Sequence, residues 1–208
     1  MKKLKIGIIG VGRLGYEHAC NIANRVPGSE LVAIADANFD RAKQVAEELG
    51  VTAVYNDPKA LCADPNVEAV AIITNTASHV EMIKIAMDAG KHVFCEKPLA
   101  DTVEKCKEAE AIIAAHPELT FMLGFMRRYD EGYKQLKAAV DSGKYGEALL
   151  LHCAHRNPSV PDDWDNSMAV ENSMVHEIDV LRWLLGEDYA TAEVRYGKST
   201  NNGPKDLH

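Results

Sequence analysis

The chain has 208 residues, 47% of them hydrophobic and 26% charged, which is enough for one large domain or for one domain and part of a second. Its formal net charge is -8 and it carries no Lys/Arg stripe, so it lacks the electrostatic footprint of a nucleic-acid binder. No apolar run is long enough to span a membrane, and none is expected to insert in one.

The basic start MKKLK runs into IGIIGVG, a stretch too short and too glycine-rich for an export signal and broken by Arg13. The five cysteines, Cys20, Cys62, Cys95, Cys106 and Cys153, are odd in number and scattered, with no C-x-x-C pair. A reducing, cytoplasmic location is therefore expected, with the thiols as small packing residues.

Up to about residue 125, short apolar runs alternate with longer amphipathic segments. The runs are LKIGIIG, ELVAIAD, TAVY, AVAIIT, KHVFC and TFMLGF. They are rich in Ile, Val and Ala and lack a clean period of two, as strands buried on both faces do. The helical segments between them carry their own punctuation. Asn38 is an N-cap for FDRAKQVAEEL and Gly50 its terminator. Asp57-Pro58 starts a short helix. Ser78 opens HVEMIKIAMDA, closed by Gly90, and Asp101 or Thr102 opens VEKCKEAEAIIAAH. The alternation predicts right-handed βαβ units and a doubly wound parallel sheet over residues 1–125.

After Phe125 the rhythm changes. EGYKQLKAAVDSG reads as a helix ended by Gly143, GEALLLHCAHRN as one long strand, SMVHEIDVLRWLLG as an amphipathic helix ended by Gly186, and TAEVRYG as another strand. Residues 126–208 are thus expected to begin a second, α+β domain that stops before its sheet is complete.

The first strand leads directly into Gly10-x-Gly12-x-x-Gly15. Gly10 permits a tight turn, Gly12 lets a pyrophosphate approach the backbone, and Gly15 lets the helix pack close to the strand. Arg13 and Leu14 complete the loop at the positive end of that helix, where phosphates meet unpaired N–H groups. The next strand ends in Asp36, about twenty residues on, so the pattern matches the dinucleotide fingerprint in context. A carboxylate there accepts from ribose hydroxyls and repels a 2′-phosphate. Ala37 and Asn38 beside it bring no arginine to offset that, which predicts NAD over NADP.

The strand HVFC ends in Glu96, Lys97 and Pro98. In open α/β sheets ligands bind beyond the carboxyl ends of the strands, so a lysine fixed there can donate to a substrate hydroxyl and favour developing alkoxide. The same placement also fits a plain solvated turn.

CEKPLA, together with GFMRRYD at 124–130, HCAHRNP at 152–158 and VHEIDVLRWL at 175–184, resembles the Gfo/Idh/MocA oxidoreductases, and the second and third segments point to the inositol branch. The resemblance runs to about Tyr189. It implies an enzyme that oxidises a hydroxyl of a cyclic polyol, myo-inositol or a relative, to a ketone with a nicotinamide cofactor. It implies that Lys97 contacts the reacting hydroxyl, that His176 is the general base, and that Arg127, His155 and Asn157 line the substrate pocket. It places Thr74, His79, Glu96 and Met126 near the nicotinamide. It also implies a homo-oligomer, dimer or tetramer, for a full-length chain. Two departures stand out. Where the family has an aspartate four residues before the catalytic histidine, this chain has Asn172, which keeps the shape and loses the charge. The family's second domain also runs on well beyond 208 residues, so the sequence reads as a fragment or as a chain missing much of that domain. These departures keep two alternatives open: a dehydrogenase of another sugar, and a non-catalytic NAD(H)-binding module.

Other candidates have plainer readings. His152 and His155 on a strand fall on opposite faces, so no metal site is expected. Glu177 and Asp179 point away from His176 on a helix and read as solvated or structural. Trp183, Leu184 and Leu185 read as core, and His92 and His116 have no evident partner.

Overall fold

The structure is a computed structural model that describes residues 2–155 and 168–195. It divides into two compact units, Met1–Gly124 and Phe125–His208.

The first unit is a single six-stranded sheet: β1 Leu4–Ile9, β2 Ser29–Ala35, β3 Ala53–Tyr55, β4 Ala69–Ile72, β5 His92–Cys95 and β6 Phe121–Leu123. Their spatial order is β3-β2-β1-β4-β5-β6, and every pairing is parallel. Five helices cross between them: α1 Arg13–Asn24, α2 Phe39–Leu49, α3 Pro58–Ala63, α4 His79–Asp88 and α5 Val103–Ala114. This is the doubly wound arrangement expected from the alternating runs.

Neighbouring strand residues feed opposite cores. Ile8, Ile34 and Ala71 pack with Ala19, Ile22 and Val45 on one face, while Ile9, Val70 and Ile72 pack with Leu61, Ile83 and Met87 on the other. Two covered faces explain why the strand sequences show no polar alternation. Each fully buried Ile contributes about 1.5–3 kcal/mol by area removed from water.

The helix signals act as the residue types require. Asn38 accepts from the Arg41 N–H at 3.1 Å, Asp57 from the Lys59 N–H at 2.9 Å, and Thr102, rather than Asp101, from the Lys105 N–H at 3.2 Å. Ser78 precedes α4 but does not cap it, because its hydroxyl turns back to Thr74 Oγ1 at 2.7 Å. His92 has a partner after all, since its Nδ1 accepts from the Thr120 N–H at 2.9 Å, and His116 Nε2 sits 3.4 Å from Asp88.

In the second unit a 3-10 turn, Met126–Tyr129, leads into α6, Glu131–Asp141. A π-helical turn, Ala169–Met174, then runs into α7, Val175–Leu185. Two expectations fail here. Residues 146–155 form no strand, and neither do residues 191–195. A strand persists only through its hydrogen-bonded ladder, and neither segment has a partner strand among the described residues. Leu149 and Leu150, which prompted the strand reading, are 91% and 88% exposed. Leu185 is also surface rather than core, although Leu184 is buried. No helix among the described residues is long and apolar enough to cross a membrane.

Candidate active site

The strand order reverses between β1 and β4, and a cleft of about 400 Å³ opens there. It is lined by Gly10 and Gly12 after β1, Asp36 after β2, and Thr74 and Ser78 after β4. A parallel sheet must leave such a crevice where its crossovers part to opposite faces.

The three glycines are required for different reasons. Gly10 has φ +90, and a Cβ on it would lie 2.5 Å from the Ile73 carbonyl oxygen. A Cβ on Gly15 would lie 2.0 Å from the Gly10 oxygen, so α1 packs on β1 only without one. Gly12 is different, because a Cβ there would meet nothing within 4 Å. Its bareness serves no internal packing and leaves room for a ligand. Gly12 is also the N-cap of α1, and no side chain caps that helix or adds an acid to its first turn. Exposed Arg13 and Leu14 flank the opening. The residues therefore fit a dinucleotide pyrophosphate, which needs bare backbone and unspent N–H groups at a helix start.

Asp36 spends part of its capacity internally. Oδ2 accepts from the Val11 N–H at 2.7 Å and Oδ1 from the Asn38 N–H at 2.8 Å. A carboxylate offers about four lone-pair directions, so each oxygen keeps one for a ribose hydroxyl. One neighbour escaped the sequence reading. Arg41 in α2 reaches back so that its Nε donates to the Val11 carbonyl at 3.1 Å, with its guanidinium 5.1 Å over the Tyr16 ring. Arg41 and Asp36 thus both bond to the Val11 backbone, although no arginine is adjacent to Asp36 in sequence.

His79 diverges from its expected place. It is 1% exposed, with Nδ1 2.9 Å from the Pro98 oxygen and Nε2 3.3 Å from the Thr74 oxygen. Instead of facing the cleft, the ring ties together the loops after β4 and β5.

Glu96, Lys97 and Pro98 leave the C-terminal end of β5, and the Lys97–Pro98 bond is cis. Glu96 turns toward α1, where its Oε1 lies 2.9 Å from His18 Nε2, and its Oε2 accepts from the Lys97 N–H at 3.1 Å. Gly124 makes room for it, since a Cβ there would come within 3.2 Å of the carboxylate. Burial pushes the Glu96 carboxyl up, but the His18 hydrogen bond, the Lys97 N–H and the nearby Lys97 ammonium outweigh it and hold the group below the ordinary range. Lys97 is half-buried, and loss of solvent lowers its pKa, with the Glu96 charge opposing. His18 was also missed. Its signal is faint, because only the α1 helical phase brings it to the strand mouth.

The second unit holds the remaining candidates. Met126 is exposed at the start of the 3-10 turn. Arg127 forms an ion pair with Glu177, and His155 Nδ1 lies 3.2 Å from the same carboxylate. Burial pushes the Glu177 carboxyl up, but the Arg127 bond and charge, with His155 adding, bring it below the ordinary range. Arg128 grips Asp179, with Nε 2.8 Å from Oδ2. Asp179 is buried, so it is an anchor and not a solvated acid. His176 is buried in the first turn of α7 and Asn172 is exposed in the π-helical turn before it. Single-turn π insertions recur at functional sites, and nothing in AVENSM announces this one. His152 and His155 do not sit on opposite faces of a strand, because there is none. Asn157 lies outside the described residues.

Comparison with known proteins agrees with this geometry. A family model described as an oxidoreductase family with an NAD-binding Rossmann fold matches residues 4–125, and one for the Gfo/Idh/MocA C-terminal domain matches residues 133–206. The chain is 47% identical over 200 residues to inositol 2-dehydrogenase of Pseudomonas syringae pv. syringae, covering 95% of this chain and 59% of that protein. It is 42% identical to an inositol 2-dehydrogenase/D-chiro-inositol 3-dehydrogenase of Halalkalibacterium halodurans, covering 96% of this chain and 58% of that one. Its fold superimposes on myo-inositol dehydrogenase from Lactobacillus casei, crystallised with NAD(H) and myo-inositol, with a TM-score of 0.93 at 33% identity, covering 99% of this chain and 61% of that one. The chain thus spans about three-fifths of the length of these relatives. Its glycine loop, its switch-point cleft and both matched segments make it a member of the Gfo/Idh/MocA oxidoreductase family, built on that family's NAD-binding Rossmann fold.

Proposed function

We propose that this chain carries out the NAD-dependent oxidation of a hydroxyl of a cyclic polyol, myo-inositol or a close relative, to the ketone. The observation that carries the reading is Lys97, an ammonium held half-desolvated at the mouth of β5. It follows the strand paired with β4, which leads into the nucleotide cleft at Thr74. The names of the relatives support the substrate class.

Oxidising an alcohol removes a hydride from carbon and a proton from oxygen. NAD supplies the hydride acceptor when bound. Lys97 donates to the reacting oxygen and lowers the cost of alkoxide, an effect strengthened where water is excluded. His176, as a neutral imidazole, accepts the proton. Arg127, His155, Asn157 and Asn172 hydrogen-bond the other ring hydroxyls, which suits a polyol better than an apolar slot would. Glu96 and Met126 act near the nicotinamide end, and Gly10, Gly12, Gly15 and Asp36 hold the adenosine half. Asn172 in place of a carboxylate favours a second reading, a dehydrogenase of another sugar. The five free thiols support a cytoplasmic location, and the family membership supports a homo-oligomer.

Lys97→Ala and His176→Ala test the assignment. Each should lower turnover about 10²-fold or more while NAD affinity survives. Near-normal turnover in either variant contradicts that residue's role.

A further inference from the structure

Glu177 lies beneath two of the side chains assigned to the polyol. Side-chain exposure grades outward, from 13% for Glu177 to 17% for Arg127 and 29% for His155. The carboxylate is the inner member, placed to hold its neighbours and not to meet a ligand.

His155 Nδ1 lies 3.2 Å from Glu177 Oε1 and 3.4 Å from Arg127 Nη2. One nitrogen cannot donate to the first and accept from the second. A lone pair facing a carboxylate would be repelled, and the carboxylate contact is the shorter, so Nδ1 carries the proton. In a neutral ring Nε2 is then the acceptor.

We infer that Glu177 is the positioning residue of the substrate pocket: its carboxylate fixes the Nδ1–H tautomer of His155 and aims the Arg127 guanidinium. Held in this way, the two side chains keep one fixed arrangement toward the ring hydroxyls. This rests on the reading that Arg127 and His155 line the polyol site. The neighbouring Arg128–Asp179 pair independently holds the same 3-10 turn to the same helix. The turn is therefore anchored without Glu177, and the charge at 177 is left to orient side chains.

The test combines the nitrogen-15 spectrum of His155 with steady-state kinetics on myo-inositol. The unmodified chain should show the Nδ1–H form. Glu177→Leu, which removes the acceptor, should lose it and raise the KM for myo-inositol about tenfold, the scale of one charged hydrogen bond, with NAD affinity unchanged. Glu177→Asp should restore part of both. An Nε2–H ring in the unmodified chain, or an unaltered tautomer and KM in Glu177→Leu, overturns the inference; the first needs no variant to fold. If the tautomer changes as stated in a chain that turns over no polyol, the hold on His155 is supported and the substrate reading fails instead.

Discussion

Asp36 and Asn172 are the residues at which one atom decides most. With Asp36 bound to the Val11 and Asn38 N–H groups, its charge is fixed in place at the cleft. A 2′-phosphate would meet that charge directly, so NAD(H) should bind much more tightly than NADP(H) in a fluorescence titration. Asp36→Ser with Ala37→Arg should reverse or equalise the preference, and equal affinities in the unmodified chain would contradict the role. Asp36 was legible because its position depends only on strand length. Arg41 was not, because its approach to Val11 depends on how α2 lies on the sheet. At 172 an amide stands where the family resemblance implies a carboxylate. Asn172→Asp should raise polyol turnover at least about tenfold, roughly 1.4 kcal/mol of transition-state stabilisation, with NAD affinity little changed. An unmodified chain already as fast as that variant would favour a substrate suited to the amide.

At the scale of elements, the turn between β1 and α1 separates folding from binding. Gly15→Ala places a Cβ 2.0 Å from the Gly10 carbonyl, so the chain must shift and the thermal midpoint should fall by several degrees. Gly12→Ala meets no atom of the protein, so the midpoint should hold while NAD affinity drops. Equal effects of both changes on stability would mean that Gly12 has a structural role. All six strands of the sheet were readable, because a strand buried on both faces is an apolar run whatever its neighbours. GEALLLHCAHRN was not, because the same kind of run carries no information about whether a partner strand exists. SMVHEIDVLRWLLG showed its helix clearly, yet the π-helical turn holding Asn172 left no mark in the pattern.

For the whole molecule, the strand mouths concentrate charge that couples to pH. Glu96 sits below the ordinary glutamate value of 4.5 despite burial. Its contribution to stability is fully present above that value and is lost as pH falls through its lower folded value. The thermal midpoint of the unmodified chain should therefore fall on acidification, and Glu96→Gln should flatten that fall; an unchanged slope would show that the His18 pairing carries no net stabilisation. Lys97 shifts stability in the same direction at higher pH, as a cost and not as a gain. Its pKa lies below the ordinary 10.5, so the cost of holding it charged is relieved as pH rises through its lowered value.

The central claim, oxidation of a cyclic polyol by NAD at Lys97 and His176, is tested most directly by NADH absorbance. The chain is mixed with NAD⁺ and, in turn, myo-inositol, scyllo-inositol, D-chiro-inositol and glucose. The account predicts NADH formation with at least one inositol at a rate above that with glucose. Tight NAD⁺ binding with no NADH from any inositol would contradict it.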